Sequence, residues 1–204
     1  RGREATEQYR RTSESLRRNL GEEHPMVLKA DGIYGQLLLN GADELTGEAL
    51  VRRALDGQRA AYHGKFHPDI LANLEPLAGW LSRHGRFAEA QALFEEMLAG
   101  WTQIGGRQHR KAIEAINYLA GVRLARDAPG DALAAEALAR EAQWRASLAD
   151  SLDGPEQRVR RLRIEWNLCR ALFAVGCIDE ARERAWVVAE ELRDTGVTFK
   201  IGNQ

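Results

Sequence analysis

Histidine is the side chain most often recruited for general-base catalysis and metal ligation, and this chain places three of its five histidines at nearly even intervals. His24, His67 and His109 lie 43 and 42 residues apart, in the stretches LGEEHPMVL, KFHPDIL and GGRQHRKAI. A shared chemistry needs shared neighbours, yet the third copy has Arg110 in place of proline and offers no catalytic partner. Proline supplies another reading. It lacks the N–H that a first helical turn leaves unused and biases the preceding residue away from helix, so each His-Pro step closes a loop and opens a helix. Asp69 beside Pro68 suits the positive end of such a helix. These histidines read as punctuation. His63 and His67 are four apart, but Gly64 and the His-Pro boundary between them prevent a common helical face for a metal. No Gly-rich phosphate loop, CxxC pair or serine nucleophile elbow occurs. No catalytic, cofactor-binding or metal-binding residue is therefore assigned, and the chain reads as a non-enzyme without a cofactor.

A second group with chemical potential lies near the C-terminal end. Arg160, Arg163, Trp166, Asn167 and Arg170 recur at spacings of three and four, which sets three guanidinium groups and an indole on adjoining turns of one helix. Such a strip can grip a carboxylate bidentately and stack on an aromatic or extended segment. The same residues also suit a solvated arginine face paired with Glu156, Glu165 or Glu114. Of the two cysteines, Cys169 falls at a small packing position and is expected to be buried; Cys177 follows Gly176 in a turn and is expected to be more exposed.

The elements that position these residues follow from the apolar pattern. Leu74, Leu77, Ala78 and Leu81 have helical spacing, Gly85 ends that helix, and Phe87, Ala90, Leu93, Phe94, Met97, Leu98 and Trp101 form a second periodic run. The two make a helical hairpin, with small Ala78 and Ala90 where the helices approach most closely. Ile116, Leu119 and Ala120 repeat the pattern, as do Leu168, Cys169 and Leu172, followed by Gly176, Ile178, Ala181, Ala185 and Ala189. Tyr34, Gly35 and Leu38 are a less regular copy, with Asp31 and Gly47 at sites where packing residues are expected. Pro129-Gly130 makes one turn irregular. Pro76 sits inside a helix and predicts a kink or short break near Ala72, either a bend that shapes a groove or a tolerated irregularity.

The Leu74-Leu77-Ala78 and Ala90-Phe94 patterns resemble the tetratricopeptide repeat (TPR), and the 42-residue spacing with its His-Pro steps is similar to the longer kinesin-light-chain type. The resemblance runs from Ala5 to about Leu192. It implies an all-α, right-handed α-solenoid of stacked helix-turn-helix repeats: a partial repeat at 1–22, repeats at about 24–66, 67–108, 109–154 and 155–196, and an extended tail at 197–204 where Val197, Phe199 and Ile201 alternate. EATEQYRRTSESLRRNL looks like the second helix of a repeat without its first, and the opening lacks an initiator Met, so the chain is expected to be part of a longer protein.

The resemblance further implies a non-catalytic scaffold that binds a peptide or protein segment in the concave groove lined by the first helix of each repeat. The alternative is a regulatory or sensor module that docks a catalytic domain of the same protein in signalling. Counting from the packing positions, the groove should present Lys29, Gln36 and Asn40, then Glu75, Gly79 and Arg83, then Glu114, Asn117 and Gly121, then Arg163, Trp166, Asn167 and Arg170. Gly79 and Gly121 leave room for a ligand backbone, and Asn117 resembles the position from which related repeats grip peptide main chain.

The composition agrees with a cytoplasmic protein-binding module. With 204 residues, 44% apolar, and a net charge of −1, the chain is globular and carries no general attraction for nucleic acid or anionic lipid. The partner should be protein or peptide, acidic where it meets the arginines. The longest uncharged stretch, GIYGQLLLNGA, has 11 residues, short of the roughly 18 that a membrane span needs. Two cysteines are too few for a disulfide framework, which favours an intracellular compartment.

Overall fold

A computed structural model describes residues 2–41, 43–149 and 154–195. Every regular element among them is an α-helix: α1 (Gly2–Leu20), α2 (Pro25–Leu39), α3 (Glu44–Ala61), α4 (Pro68–Arg83), α5 (Phe87–Gly105), α6 (Arg110–Arg126), α7 (Asp131–Ala149), α8 (Pro155–Val175) and α9 (Ile178–Thr195). They form two compact units, Arg1–Ile104 and Gly105–Gln204, the first built on α1 to α5 and the second on α6 to α9. The alternating tail at 197–204 lies outside the described residues.

The helix starts show what the histidines do. His24, His67 and His109 are N-caps with extended backbones, and their Nδ1 atoms accept from the backbone N–H groups of Met26 (3.2 Å), Asp69 (3.2 Å) and Lys111 (3.3 Å). A ring nitrogen thus meets one of the donors that a first turn leaves unsatisfied. This explains why the third copy keeps histidine after losing proline. At the other end, Gly85 (φ 74°) and Gly176 (φ 89°) adopt the left-handed conformation that glycine tolerates. The next residues, Arg86 and Cys177, donate back to the Leu81 and Leu172 carbonyls at 2.9 Å.

In the first unit, α2 and α3 cross at two glycines. A Cβ on Gly47 would stand 2.7 Å from the Leu39 nitrogen and 2.9 Å from the Gly35 oxygen, so Gly47 is what permits the contact rather than a packing defect. Asp31, the other irregularity, is fully buried and bonded to Ser13 and Arg17 of α1 and to Arg53 of α3, with Arg17 Nη2 at 3.0 Å. It ties three helices together where an apolar residue would tie two. Leu71, Leu74, Leu77 and Leu81 fill the core beneath α4, and Gly100 of α5 closes directly on Leu71 and Phe66.

Of the kink or short break expected near Ala72, the break does not occur: α4 runs as one helix through Pro76. Proline deprives the carbonyl four residues earlier of its helical donor. That carbonyl, Ala72 O, instead accepts from Gln36 Nε2 of α2 at 3.4 Å. The helix is repaired from outside.

The second unit packs on small residues. Ala120, Ala135, Ala139, Leu168, Ala171, Leu172 and Ala181 form one core, with Leu124 and Leu138 against it. Its Pro129-Gly130 turn is organised by Asp131, which is 2% exposed, receives Arg126 Nε at 2.7 Å and Arg123 Nη1 at 3.2 Å, and accepts from the Ala128 N–H at 3.0 Å. The arginines outweigh the cost of burial and hold its carboxyl far below the usual carboxylate range. No described helix is long and apolar enough to cross a membrane.

Candidate functional site

In the first unit two of the expected groove residues, Gln36 and Lys29, reach a neighbouring helix, while Asn40 and Arg83 stay exposed. Gln36 Nε2 donates to Asn73 Oδ1 at 2.7 Å as well as to Ala72 O, making it a strut between α2 and α4. Asn40 is exposed, and its Nδ2 returns to the Gln36 carbonyl at 3.0 Å, closing the end of α2. Lys29 Nζ pairs with Asp69 at 2.9 Å. Burial alone would raise the Asp69 carboxyl, but Lys29 and the Tyr62 hydroxyl at 3.1 Å hold it below its ordinary value. Tyr62 also stacks on His67, the cap of α4, at 3.8 Å. Glu75 is half-buried, and Arg83 stands exposed in the last turn of α4. Gly79 has open space around it, with only Arg83 Nη1 at 3.7 Å from a Cβ built there.

The second unit gathers its residues more closely. Asn117 of α6 is 6% exposed, and both its Oδ1 and its backbone carbonyl accept from Asn167 Nδ2 of α8, at 2.9 and 3.1 Å. Asn167 Oδ1 in turn faces Arg170 Nη1 at 3.4 Å. The pair of buried Asn117 and half-buried Asn167 links α6 to α8, and Gly121, half-buried beside Asn167 Nδ2, keeps the approach clear. Trp166 is 37% exposed on the same helix, and Arg163 is half-exposed one turn earlier. Arg160 turns the other way and is 5% exposed, so it leaves the arginine strip. Arg170 is exposed at the surface, while the packing around its stem desolvates the guanidinium and lowers it from its ordinary value.

The acids that were candidates for neutralising the strip are engaged elsewhere. Glu156 pairs with Arg110 at 2.9 Å, Glu165 with Arg184 at 3.0 Å, and Glu114 with Lys111 at 2.8 Å. Among the described residues Arg163 makes no ion pair, and Arg170 has only the long contact to Asn167. Two guanidinium groups therefore flank a part-exposed indole without a carboxylate between them. Trp166 and Arg170 also line an apolar-walled cleft of about 1010 Å³, with Cys169, Phe173, Leu124 and Ala185 among its other walls. Cys169 is 5% exposed, and burial pushes its thiol up, so it is poorly suited to act as a thiolate. Among the described residues no three His, Cys, Asp or Glu side chains are grouped to hold a metal ion.

Two polar centres, Asn73 and Asp131, escaped the sequence reading, and Asp31 entered it only as an irregularity. Asn73 Nδ2 donates to Gln58 Oε1 at 3.0 Å and to the Asp69 carbonyl at 3.2 Å while its Oδ1 receives Gln36. A polar residue in an otherwise apolar periodic slot was the one available signal, and it marks structural ties here rather than an open site.

No protein-family model and no curated protein matches the chain. Solved structures do match. Over 97% of this chain and 90% of the other, the chain is similar to nearly identical TPR-like repeats of kinesin-light-chain type from Podosopora anserina, with a TM-score of 0.75 and 23% identity. A variant form of those repeats gives a TM-score of 0.76 over 96% of this chain and 88% of the other, again at 23% identity. BtubC (BKLC) from P. vanneervenii is similar over all of this chain and 78% of its own, with a TM-score of 0.79 and 14% identity. The chain thus has the all-α, TPR-like repeat fold of the kinesin-light-chain type.

Proposed function

We propose that this TPR-like chain is a non-catalytic scaffold that holds an acidic peptide or protein segment on the face shared by α6 and α8. TPR-like repeats generally serve protein interaction, and in this chain one observation carries the reading: Arg163 and Arg170 flank the part-exposed Trp166 while Glu114, Glu156 and Glu165 are already paired with other cations. An uncompensated pair of guanidinium groups on either side of an indole offers bidentate carboxylate binding together with an apolar platform. Asn167, fixed by buried Asn117, holds Arg170 from the side. The stacking and charge-assisted bonds need no covalent step, no metal and no cofactor. A cytoplasmic location is part of the proposal, supported by the two free cysteines.

The test is selection of binders from a random peptide library displayed on phage, with the full chain as bait. Enrichment of segments bearing paired acidic residues, lost in Arg163→Ala and Arg170→Ala baits, is the expected outcome. Recovery of basic or purely apolar segments, or of the same peptides by the two variants, would contradict it.

A further inference from the structure

Asp31 lies four residues before Gly35, as Leu74, Ile116 and Glu165 lie four before the small residues Ala78, Ala120 and Cys169 of the later repeats. One repeat position is therefore filled in two ways. Leu74 and Ile116 are apolar and fully buried, so stacking of the repeats does not require a charge there. A carboxylate taken out of water is costly even when paired, yet Asp31 is fully buried at this position. The two acidic copies differ in charge balance. Glu165 accepts from Gln143 of α7 and pairs with Arg184 of α9 at 3.0 Å, and Arg184 has a second carboxylate, Glu180, also at 3.0 Å. A first helix, α6, packs on α8 through Ala120 without entering that pairing. Asp31 instead accepts from Ser13 and Arg17 of α1 and from Arg53 of α3, so one carboxylate serves two guanidinium groups. Glu14 and Asp56, each three residues from one of these arginines, are held by Arg10 at 2.6 Å and Arg59 at 3.4 Å. Among the described residues Arg17 and Arg53 pair only with Asp31, and their side chains are 30% and 41% exposed. The cluster carries one positive charge in excess at the surface of the first unit.

We propose that Arg17 and Arg53 form a clamp for a phosphate group, with Asp31 as the positioning residue beneath it. Both guanidinium groups reach Oδ2 of Asp31 through Nη2, that of Arg17 at 3.2 Å, so the carboxylate holds two like charges side by side before any ligand arrives. Nη1 of Arg17, and Nε and Nη1 of Arg53, make no hydrogen bond among the described residues and remain as donors. A tetrahedral dianion presents oxygens to both arginines at once and supplies the missing counter-charge. A planar carboxylate matches one fork and leaves the other unfilled. The clamp lies between α1 and α3 and shares no residue with the Arg163–Arg170 face.

The full chain is titrated by calorimetry with three probes: N-acetyl-O-phosphoserine amide, inorganic phosphate and N-acetylaspartate amide. Saturable binding of phosphate is expected, with the aspartate probe weaker by roughly tenfold or more. Arg17→Gln and Arg53→Gln should each weaken phosphate binding by a similar factor. Should either unfold the chain by leaving Asp31 underpaired, Arg53→Lys decides: it keeps a cation for Asp31 but replaces the fork by a point charge, and is expected to lose roughly tenfold in affinity with the melting temperature nearly unchanged. Tighter binding of the phosphoserine probe identifies a phosphorylated side chain as the source, and equal or tighter binding of inorganic phosphate identifies the free ion; both uphold the clamp. Absence of saturable binding, equal affinity for the aspartate probe, or affinity unchanged in Arg53→Lys overturns it. Phosphate binding lost in Arg163→Ala or Arg170→Ala but kept in the Arg17 and Arg53 variants would place the anion on the α6–α8 face, which overturns this inference and leaves the proposed function standing.

Discussion

Single side chains in this protein act mainly as ties between helices. His109 is a cap that must accept a hydrogen bond at Nδ1, which requires an unprotonated nitrogen there. Burial, reinforced by Arg110, lowers its pKa from 6.5, so the folded state takes up its proton less readily than the unfolded chain. Folding stability from this residue is therefore complete above pH 6.5 and is lost as pH falls through the lowered value. Chemical denaturation between pH 7 and pH 5 should show a decline that His109→Asn, a cap without a titrating ring, makes shallower; an identical slope in the variant would remove His109 as its source. Asp31 is a stronger tie. Asp31→Ala should cost about 3 kcal/mol, the lower end for breaking a buried ion pair, because its two arginine partners keep some access to water. A loss under about 0.5 kcal/mol in urea denaturation would place Asp31 among surface residues.

At the scale of helices, Pro76 and Gln36 form a unit split across two elements. Gln36→Ala should cost about 1 kcal/mol by removing the donor shared between Asn73 Oδ1 and Ala72 O. In a Pro76→Ala background the backbone N–H returns, and the same substitution should cost less. A double-mutant cycle showing no coupling would refute the repair. This pair also shows what the sequence could reveal. The proline was visible as a broken helix rule, but its remedy depends on a glutamine 40 residues earlier in the chain. Helix starts, hairpins and the small crossing residues were legible because they follow from local periodicity and from proline and glycine geometry. Gly47 was misread because polarity and size were judged along one helix, whereas the α3 backbone meets α2 there at contact distance. Asn117 and Asn167 were both singled out as groove residues, yet only the packed helices reveal that they bond to each other.

The whole chain combines repeated hairpins with uneven polar decoration, and its proposed role rests on where that decoration is left uncompensated. Stability in stacked repeats is set by neighbours. Leu77 is fully buried, and Leu77→Ala should cost on the order of 2–5 kcal/mol in equilibrium denaturation. A near-neutral result would mean that the α4 face is misassigned. Partner binding should weaken as salt rises, since the arginines concerned keep contact with solvent. The most direct measurement of the central claim is Trp166→Ala, comparing affinity for a selected acidic peptide with the melting temperature of the same sample. A part-exposed indole that serves recognition should lose roughly tenfold or more in affinity while melting changes by only about 2 °C. A severe drop in melting temperature, with binding reduced only in proportion to unfolding, would make Trp166 a packing residue and contradict the proposed α6–α8 binding face.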